Sequence, residues 1–327
     1  MSADWNTAMA QGAPAGSTNP LFKGARPMAV GWHVATRRLF GRDAALGWTL
    51  LLPSIAVLGA LLAFPFIDSV MLSFQDRFIG KTGTWIGLKN YADLLGNPNL
   101  HFWEAARNTI VFVGGAIAGK FAIGLAMAAV LNQEVPGRNL LRGLMFLPWA
   151  LPAVVSAYAW RFILDDTGPI NGLIAALQLR DDYLLFFNDP KLAMFALVLV
   201  VVWSGTPFWT MNFLAAMQAV SQEQYEAAEI DGAGTFARFR YITFPSIQPV
   251  LLVTTMLSTI WTSANLTQIF VLTGGGPNYA TITIPMLSYL VAIPGKQLGA
   301  GAAASMLMVP AYLILVVLLS RRMLDQE

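Results

Sequence analysis

The sequence predicts an all-α bundle of six transmembrane helices, and its composition and apolar segments carry that prediction. Hydrophobic residues make up 56% of the 327 and charged residues only 12%, about half the share of a soluble domain. That is too little charge to coat a water-facing surface. Six apolar segments, roughly 45–73, 108–131, 142–164, 191–219, 247–271 and 300–320, reach the length of about 20 residues that a helix needs to cross a bilayer. Six spans place both ends of the chain on one side.

Residues 1–43 are rich in Gly, Pro, Ala and Ser, lack helical periodicity and end in Arg37, Arg38 and Arg42, so they read as a disordered tail. The first apolar segment starts near Ala44, too far in and too long for a cleavable signal peptide, and is expected to stay as an anchor. The transmembrane domain is therefore 44–320, with 321–327 a short C-terminal tail. Pro53, Pro65, Pro148, Pro152 and Pro207 fall inside the spans, where neighbours can satisfy the carbonyls a kink releases. The shorter apolar piece Ile282 to Ile293, holding Pro285, predicts a helix at or above the membrane surface.

Positive charge orients the spans. With the tail inside, Arg138, Arg142, Arg238, Arg240, Arg321 and Arg322 join the basic tail residues in the cytoplasm. Arg77, Lys81, Lys89, Arg107, Arg180, Lys191 and Lys296 are left outside, spread over longer loops. The bias predicts both termini in the cytoplasm. Segments 74–107, 165–190 and 272–299 then face out, and 132–141 and 220–246 face in.

Several function classes drop out. The net charge of +2 lacks the basic excess of a nucleic-acid binder. There is no cysteine for a disulfide or thiolate site, and His33 and His101 are too far apart in sequence to seed a metal centre. Ser54, Ser156, Ser204 and Ser258 have no histidine within the spans, so no catalytic set is expected. Gly114 to Lys120, GGAIAGK, fits part of a phosphate-binding loop, but Phe121 stands where a hydroxyl should hold Mg²⁺ and the apolar run continues to Leu131. Its glycines read instead as a close approach of two transmembrane helices. Lys120 itself falls near the middle of that span, where an ammonium must snorkel or face a partner.

The inward loop 221–249 is helix-prone to Asp231, breaks at Gly232, and resumes a helical pattern through Phe236, Phe239 and Ile242 before Pro245 and Pro249. Glu226, Glu229 and Asp231 offer carboxylates to a basic partner, and Ala227, Ala228 and Ala233 keep the surface slim. Glu226-Ala227-Ala228, Gly232, Ile242 and Pro245 resemble the EAA loop of ABC importer permeases, with Phe244 where that family usually has Leu. The fuller form, E-A-A-x-x-D-G-A over Glu226 to Ala233, is similar to the carbohydrate branch. Outside, Val271 to Pro277 reads as a glycine-rich exit turn and also resembles the L-T-x-G-G-P segment of the larger maltose-transporter-type subunit, with Ala280-Thr281 after it. The resemblance covers about 44–320, without that subunit's long first external domain.

The resemblance implies a type I ABC importer permease fold in a bacterial or archaeal cytoplasmic membrane, with loop 221–246 as a cytoplasmic coupling helix. Glu226, Ala227, Ala228, Asp231, Gly232 and Ala233 would seat in an ATPase subunit. The implied partners are a second, homologous permease, two ATPases that carry the ATP and Mg, and an extracytoplasmic solute-binding protein. No cofactor is expected on this chain.

A carbohydrate offers hydroxyls and faintly apolar faces, which amide, hydroxyl and aromatic side chains match. Ser258, Trp261, Thr262, Asn265 and Gln268 recur at three- and four-residue intervals and predict one stripe on the fifth span. The fourth span adds Trp203, Ser204, Gly205, Phe208, Trp209 and Asn212. The resemblance maps sugar contacts to Ser204, Gly205, Phe208, Ser258, Trp261, Thr262 and Asn265; the aromatic members read equally as lipid-facing belts or packing. Neither stripe holds a Lys or Arg, which favours a neutral solute. A polyol or glycerol phosphodiester is the rival solute. A stand-alone secondary transporter or channel is the rival class, and would need carboxylates within the spans, whereas Asp165 and Asp166 lie at a span end.

Overall fold

The computed structural model describes residues 42–134, 136–180 and 182–324. Most of the predicted tail, 1–41, and the last residues, 325–327, lie outside these. Among the described residues, five helices are long and apolar enough to cross a membrane: Gly47–Ser73, Phe102–Leu131, Pro190–Gln218, Thr235–Ser263 and Leu298–Arg322. Arg138–Ala150 and Ala153–Ile163 form a sixth candidate span, bent by 96°.

The chain divides into two units, Met1–Pro65 and Phe66–Glu327. In the first, the helix from Arg42 passes Leu58 into a π-helical turn, Gly59–Ala63. The same device recurs in the second unit, where Phe239–Thr243 is π-helical. Each turn ends one residue before a Phe-Pro pair, Phe64-Pro65 and Phe244-Pro245. Proline's ring clashes with the carbonyl four residues back, and shifting the hydrogen bond by one residue relieves it without ending the helix.

The predicted third span, 142–164, is not continuous. Leu151 and Pro152 are extended, at ψ 136° and 137°, between the two helical pieces. A residue preceding proline is pushed out of the helical region, so Pro152 terminates the first piece at Ala150. The fifth span also departs from its predicted range: the helix stops at Ser263 and resumes as Thr267–Leu272. Asn265 Oδ1 accepts from the Gln268 backbone N–H at 3.2 Å, the local side-chain bond that competes with a helical ladder. The second span starts earlier than predicted, at Phe102, and the last helix runs on to Leu324. Ile284–Ala292 is the short helix expected within 282–293. Ser288 Oγ of that helix donates to the Gly301 carbonyl at 2.8 Å.

The core of the second unit lies between the second, fourth and fifth spans. Phe112, Ala116, Leu197 and Val200 pack with Ile269, Leu272 and Met286 in one cluster, and Ala128, Trp209, Phe213 and Ile247 in another. Gly119 and Gly124 make this contact possible. A Cβ on them would stand 2.7 Å from Val202 Cγ2 and 2.8 Å from Trp209 Cβ. The GGAIAGK run is thus continuous helix packed on the fourth span. On the outer faces Ile110, Leu144, Phe162, Leu313 and Ile314 are exposed, an apolar surface of the kind lipid covers.

Candidate functional site

A single open cavity of about 140 Å³ is lined by Ser204, Gly205, Phe208, Ser258, Trp261, Thr262, Asn265 and Gln268, together with Lys120, Trp149 and Val201. The first eight are the residues singled out from the sequence. Val201, Ser204, Gly205 and Phe208 share one face of the fourth span because they recur at helical spacing. Ser258, Trp261 and Thr262 do the same on the fifth. Asn265 and Gln268 do not extend that stripe along a continuous helix; the helix breaks after Ser263, Asn265 reaches the cavity from the break itself, and Gln268 from the short helix beyond it.

Polar groups around the cavity are tied into a network. Lys120 Nζ donates to Thr262 Oγ1 at 2.8 Å, Trp209 Nε1 to Ser258 Oγ at 3.0 Å, and Gln268 Nε2 to Ser204 Oγ at 3.2 Å. Asn265 Nδ2 closes the chain by donating to Gln268 Oε1. Trp261 is 55% exposed and meets Phe208 edge-on at 5.2 Å, which leaves indole surface open to the cavity. The lining therefore combines rings with hydroxyls and amides.

Other expectations are corrected here. Trp209 is fully buried and acts through Ser258 without lining the cavity. Asn212 bonds the Phe208 carbonyl, and Trp203 lies against Trp160 and beside a separate apolar pocket. Neither stripe itself holds a Lys or Arg, but Lys120, from the second span, lines the same cavity, so the argument from the stripes to a neutral solute does not carry over to the cavity. Its signal was visible as a lone charge in an apolar run. Trp149 had none, because the proline-induced bend brings it in. Asp165, past the end of its helix, is exposed and accepts from the Thr167 N–H and hydroxyl, which hold its carboxyl below the usual range.

The loop between the fourth and fifth spans is helix, turn, helix. Gln222–Ile230 is helical with Ser221 as N-cap and Asp231 as C-cap. Gly232 follows at φ +77°, its N–H donating to the Glu229 carbonyl at 3.0 Å while Ala233 N–H reaches the Ala228 carbonyl at 2.8 Å. This pair of bonds is the Schellman C-cap, so the spacing from Ala228 to Ala233 is a stop signal with a glycine where φ must be positive. Tyr225 and Thr243 hydroxyls meet at 2.9 Å, tying the short helix to the foot of the fifth span. Glu229 is engaged by Arg238 at 3.4 Å, whereas Glu226 and Asp231 form no ion pair among the described residues. Ile230 and Phe236, 87% and 79% exposed, flank the turn with bare apolar surface.

On the other side of the fifth span, Gly274 and Gly275 have positive φ and begin a turn fastened to the second span: Asn108 Nδ2 donates to the Tyr279 carbonyl at 2.9 Å, and Ile284 N–H to Thr109 Oγ1 at 2.9 Å. Arg161 donates to the Val271 carbonyl, capping the short helix.

A polytopic helical bundle with a polar cavity between its spans and a structured loop at one end is the architecture of a membrane permease. The crystal structure of a bacterial ABC transporter that imports the acidic polysaccharide alginate contains a chain of the same fold, with a TM-score of 0.75 at 21% identity over 90% of this chain and 98% of that one. Residues 120–326 match the family described as binding-protein-dependent transport system inner membrane component. The trehalose/maltose transport system permease protein MalF of Thermococcus litoralis is 35% identical over 83% of this chain and 91% of its own length. The inner membrane ABC transporter permease protein YcjO of Escherichia coli is 31% identical over 87% of this chain and 97% of its own. The chain belongs to this family, the membrane-spanning permease subunits of ABC importers.

Proposed function

We propose that the chain is the non-catalytic permease subunit of a binding-protein-dependent importer that moves a carbohydrate by alternating access. The cavity carries the reading: the eight residues singled out from the sequence line one space, in which the rings of Trp261 and Phe208 stand with hydroxyls and amides. Sugars are bound by that pairing of ring faces with hydrogen-bonding groups. A relative named for trehalose and maltose transport supports the solute class. At about 140 Å³ the cavity is smaller than the roughly 300–1,000 Å³ of usual ligand sites, and it is open, which fits a pathway completed by a second permease.

Glu226 to Ala233 is the coupling segment. The carboxylates of Glu226 and Asp231, with no ion pair among the described residues, and the exposed Ile230 and Phe236 suit a cleft on an ATPase subunit, which also carries the ATP and Mg. ATP binding would close the ATPase dimer and move this segment, and Tyr225–Thr243 would pass the motion to the fifth span. Co-expression with the neighbouring transport subunits and purification in detergent should retain an ATPase on this chain; a chain that purifies alone and transports solute in liposomes would establish the stand-alone transporter instead.

The same reading places residues 1–43, Arg138, Gly232 and Arg321 in the cytoplasm, and Lys89, Asp182 and Asn278 outside, with the solute-binding protein. Because the chain has no cysteine, single-cysteine variants are clean probes of topology. An impermeant thiol reagent applied to intact spheroplasts should label a cysteine at 278 and spare one at 232. Labelling at 232 would invert the orientation.

A further inference from the structure

Lys120 is the strongest unexplained feature of the cavity. Only 5% of it is exposed, yet it lines the space, and its ammonium ends on Thr262 in the fifth span with no interfacial end to snorkel to. An ammonium has three donors and a full charge; the Thr262 hydroxyl takes one donor and cancels none of the charge. Among the described residues Lys120 has no carboxylate partner, and none of the residues lining the cavity is acidic. Gly205 leaves the room the lysine occupies. A Cβ there would stand 2.5 Å from Lys120 Cε and 3.0 Å from Nζ, so the glycine is what lets the stem cross the fourth span and put its head between the two stripes.

The other polar groups of the lining are neutral and already partnered in part: Gln268 bonds Asn265 and Ser204, and Ser258 accepts from Trp209. Lys120 is thus the one charged donor in the cavity with hydrogens to spare, and a bond from it to an anion is about twice as strong as a neutral one. A buried charge is retained when something pairs with it, and a charge that lines a pathway is paired by what passes through.

We propose that the imported carbohydrate carries a negative charge, as a carboxylate, sulfonate or phosphate substituent, and that Lys120 is the residue that receives it. The proposal rests on the carbohydrate-pathway reading above. It predicts a cavity that is electropositive because of one residue, which can be measured without knowing the solute. In the assembled importer in nanodiscs, with Trp261→Cys as the only thiol on this chain, the rates of modification by anionic sulfonatoethyl and cationic trimethylammonioethyl methanethiosulfonate report the local potential. The anionic reagent should be favoured, and Lys120→Gln, which keeps hydrogen bonding to Thr262 but removes the charge, should lower the anion-to-cation rate ratio several-fold. A ratio that Lys120→Gln leaves unchanged would overturn the proposal, because the ammonium would then be neutralised from elsewhere, a carboxylate of the second permease being the obvious source.

The solute itself separates the remaining outcomes. Mass spectrometry of what denaturation releases from the cognate binding protein should find an acidic saccharide. A neutral saccharide would overturn the charge assignment and leave carbohydrate import standing. An anion that is not a saccharide would overturn the carbohydrate reading while supporting Lys120 as the anion's contact.

Discussion

Gly232→Pro is expected to abolish import while leaving the permease inserted in the membrane. Gly232 sits at φ +77°, and proline is confined near −65°, so the turn after Gln222–Ile230 cannot close in its present form. The substitution also deletes the N–H that donates to the Glu229 carbonyl, and with the turn displaced the bond from Ala233 to Ala228 goes as well. Both halves of the C-cap are lost in one step. Nothing lies within 4 Å of a Cβ at this position, so Gly232→Ala tests the backbone conformation alone and should weaken the turn by about 1–2 kcal/mol, the ordinary cost of a left-handed non-glycine residue. Ala should therefore be partly active and Pro inactive.

The measurement is uptake alongside ATPase retention and ATP hydrolysis. An ATPase that dissociates from Gly232→Pro, or hydrolyses ATP without import, is the expected phenotype; normal uptake would make the loop an ordinary connection. Glu226 adds the electrostatic side of the same test. It is exposed and has no ion pair among the described residues, so it can meet a basic cleft directly. Glu226→Lys should then weaken ATPase retention more than Glu226→Gln, because reversal adds repulsion to the lost attraction. Equal effects would mean the cleft is not basic.

The loop was legible in the sequence because its determinants are local: a run of helix formers, then a glycine where φ turns positive, all within a few residues. The faces of the fourth and fifth spans were legible for the same reason, since spacing alone sets which side chains share a face. Whether a helix continues is a different matter. The helical spacing of polar residues from Ser258 through Gln268 conceals the break that Asn265 makes by bonding Gln268, so one stripe was expected where two helical pieces and the break between them meet at the cavity. The 96° bend at Leu151 and Pro152 was legible as a proline but not as an angle, and with it went the arrival of Trp149. Lys120 was conspicuous but its partner was not legible, because its contact with Thr262 spans 142 positions and depends on Gly205 clearing the way, information no local pattern holds.

Asn265→Leu is expected to cut solute uptake roughly 5- to 150-fold while binding-protein-stimulated ATP hydrolysis persists. The substitution keeps the branched shape of the side chain but removes both Asn265 partners of Gln268: its side-chain oxygen loses the donor on Asn265, and its backbone N–H loses the Asn265 acceptor. Gln268 is 3% exposed, so most of its polar surface has no ready replacement partner. A buried polar group stripped of its partner costs about 1–3 kcal/mol, which is where the range in uptake comes from. The disturbance should travel along the network, because Gln268 also positions Ser204 on the fourth span. Ser204→Ala removes only that far end and should have the smaller effect. Trp261→Ala reports the aromatic part of the lining, since its exposed indole contacts Phe208 and makes no hydrogen bond to the amides; it should lower uptake without disturbing the amide network. Stimulated hydrolysis is the control that separates the two ends of the protein, because the coupling segment is untouched in all three variants. Wild-type uptake in both Asn265→Leu and Trp261→Ala would mean that the cavity is packing space between spans and that the solute passes elsewhere.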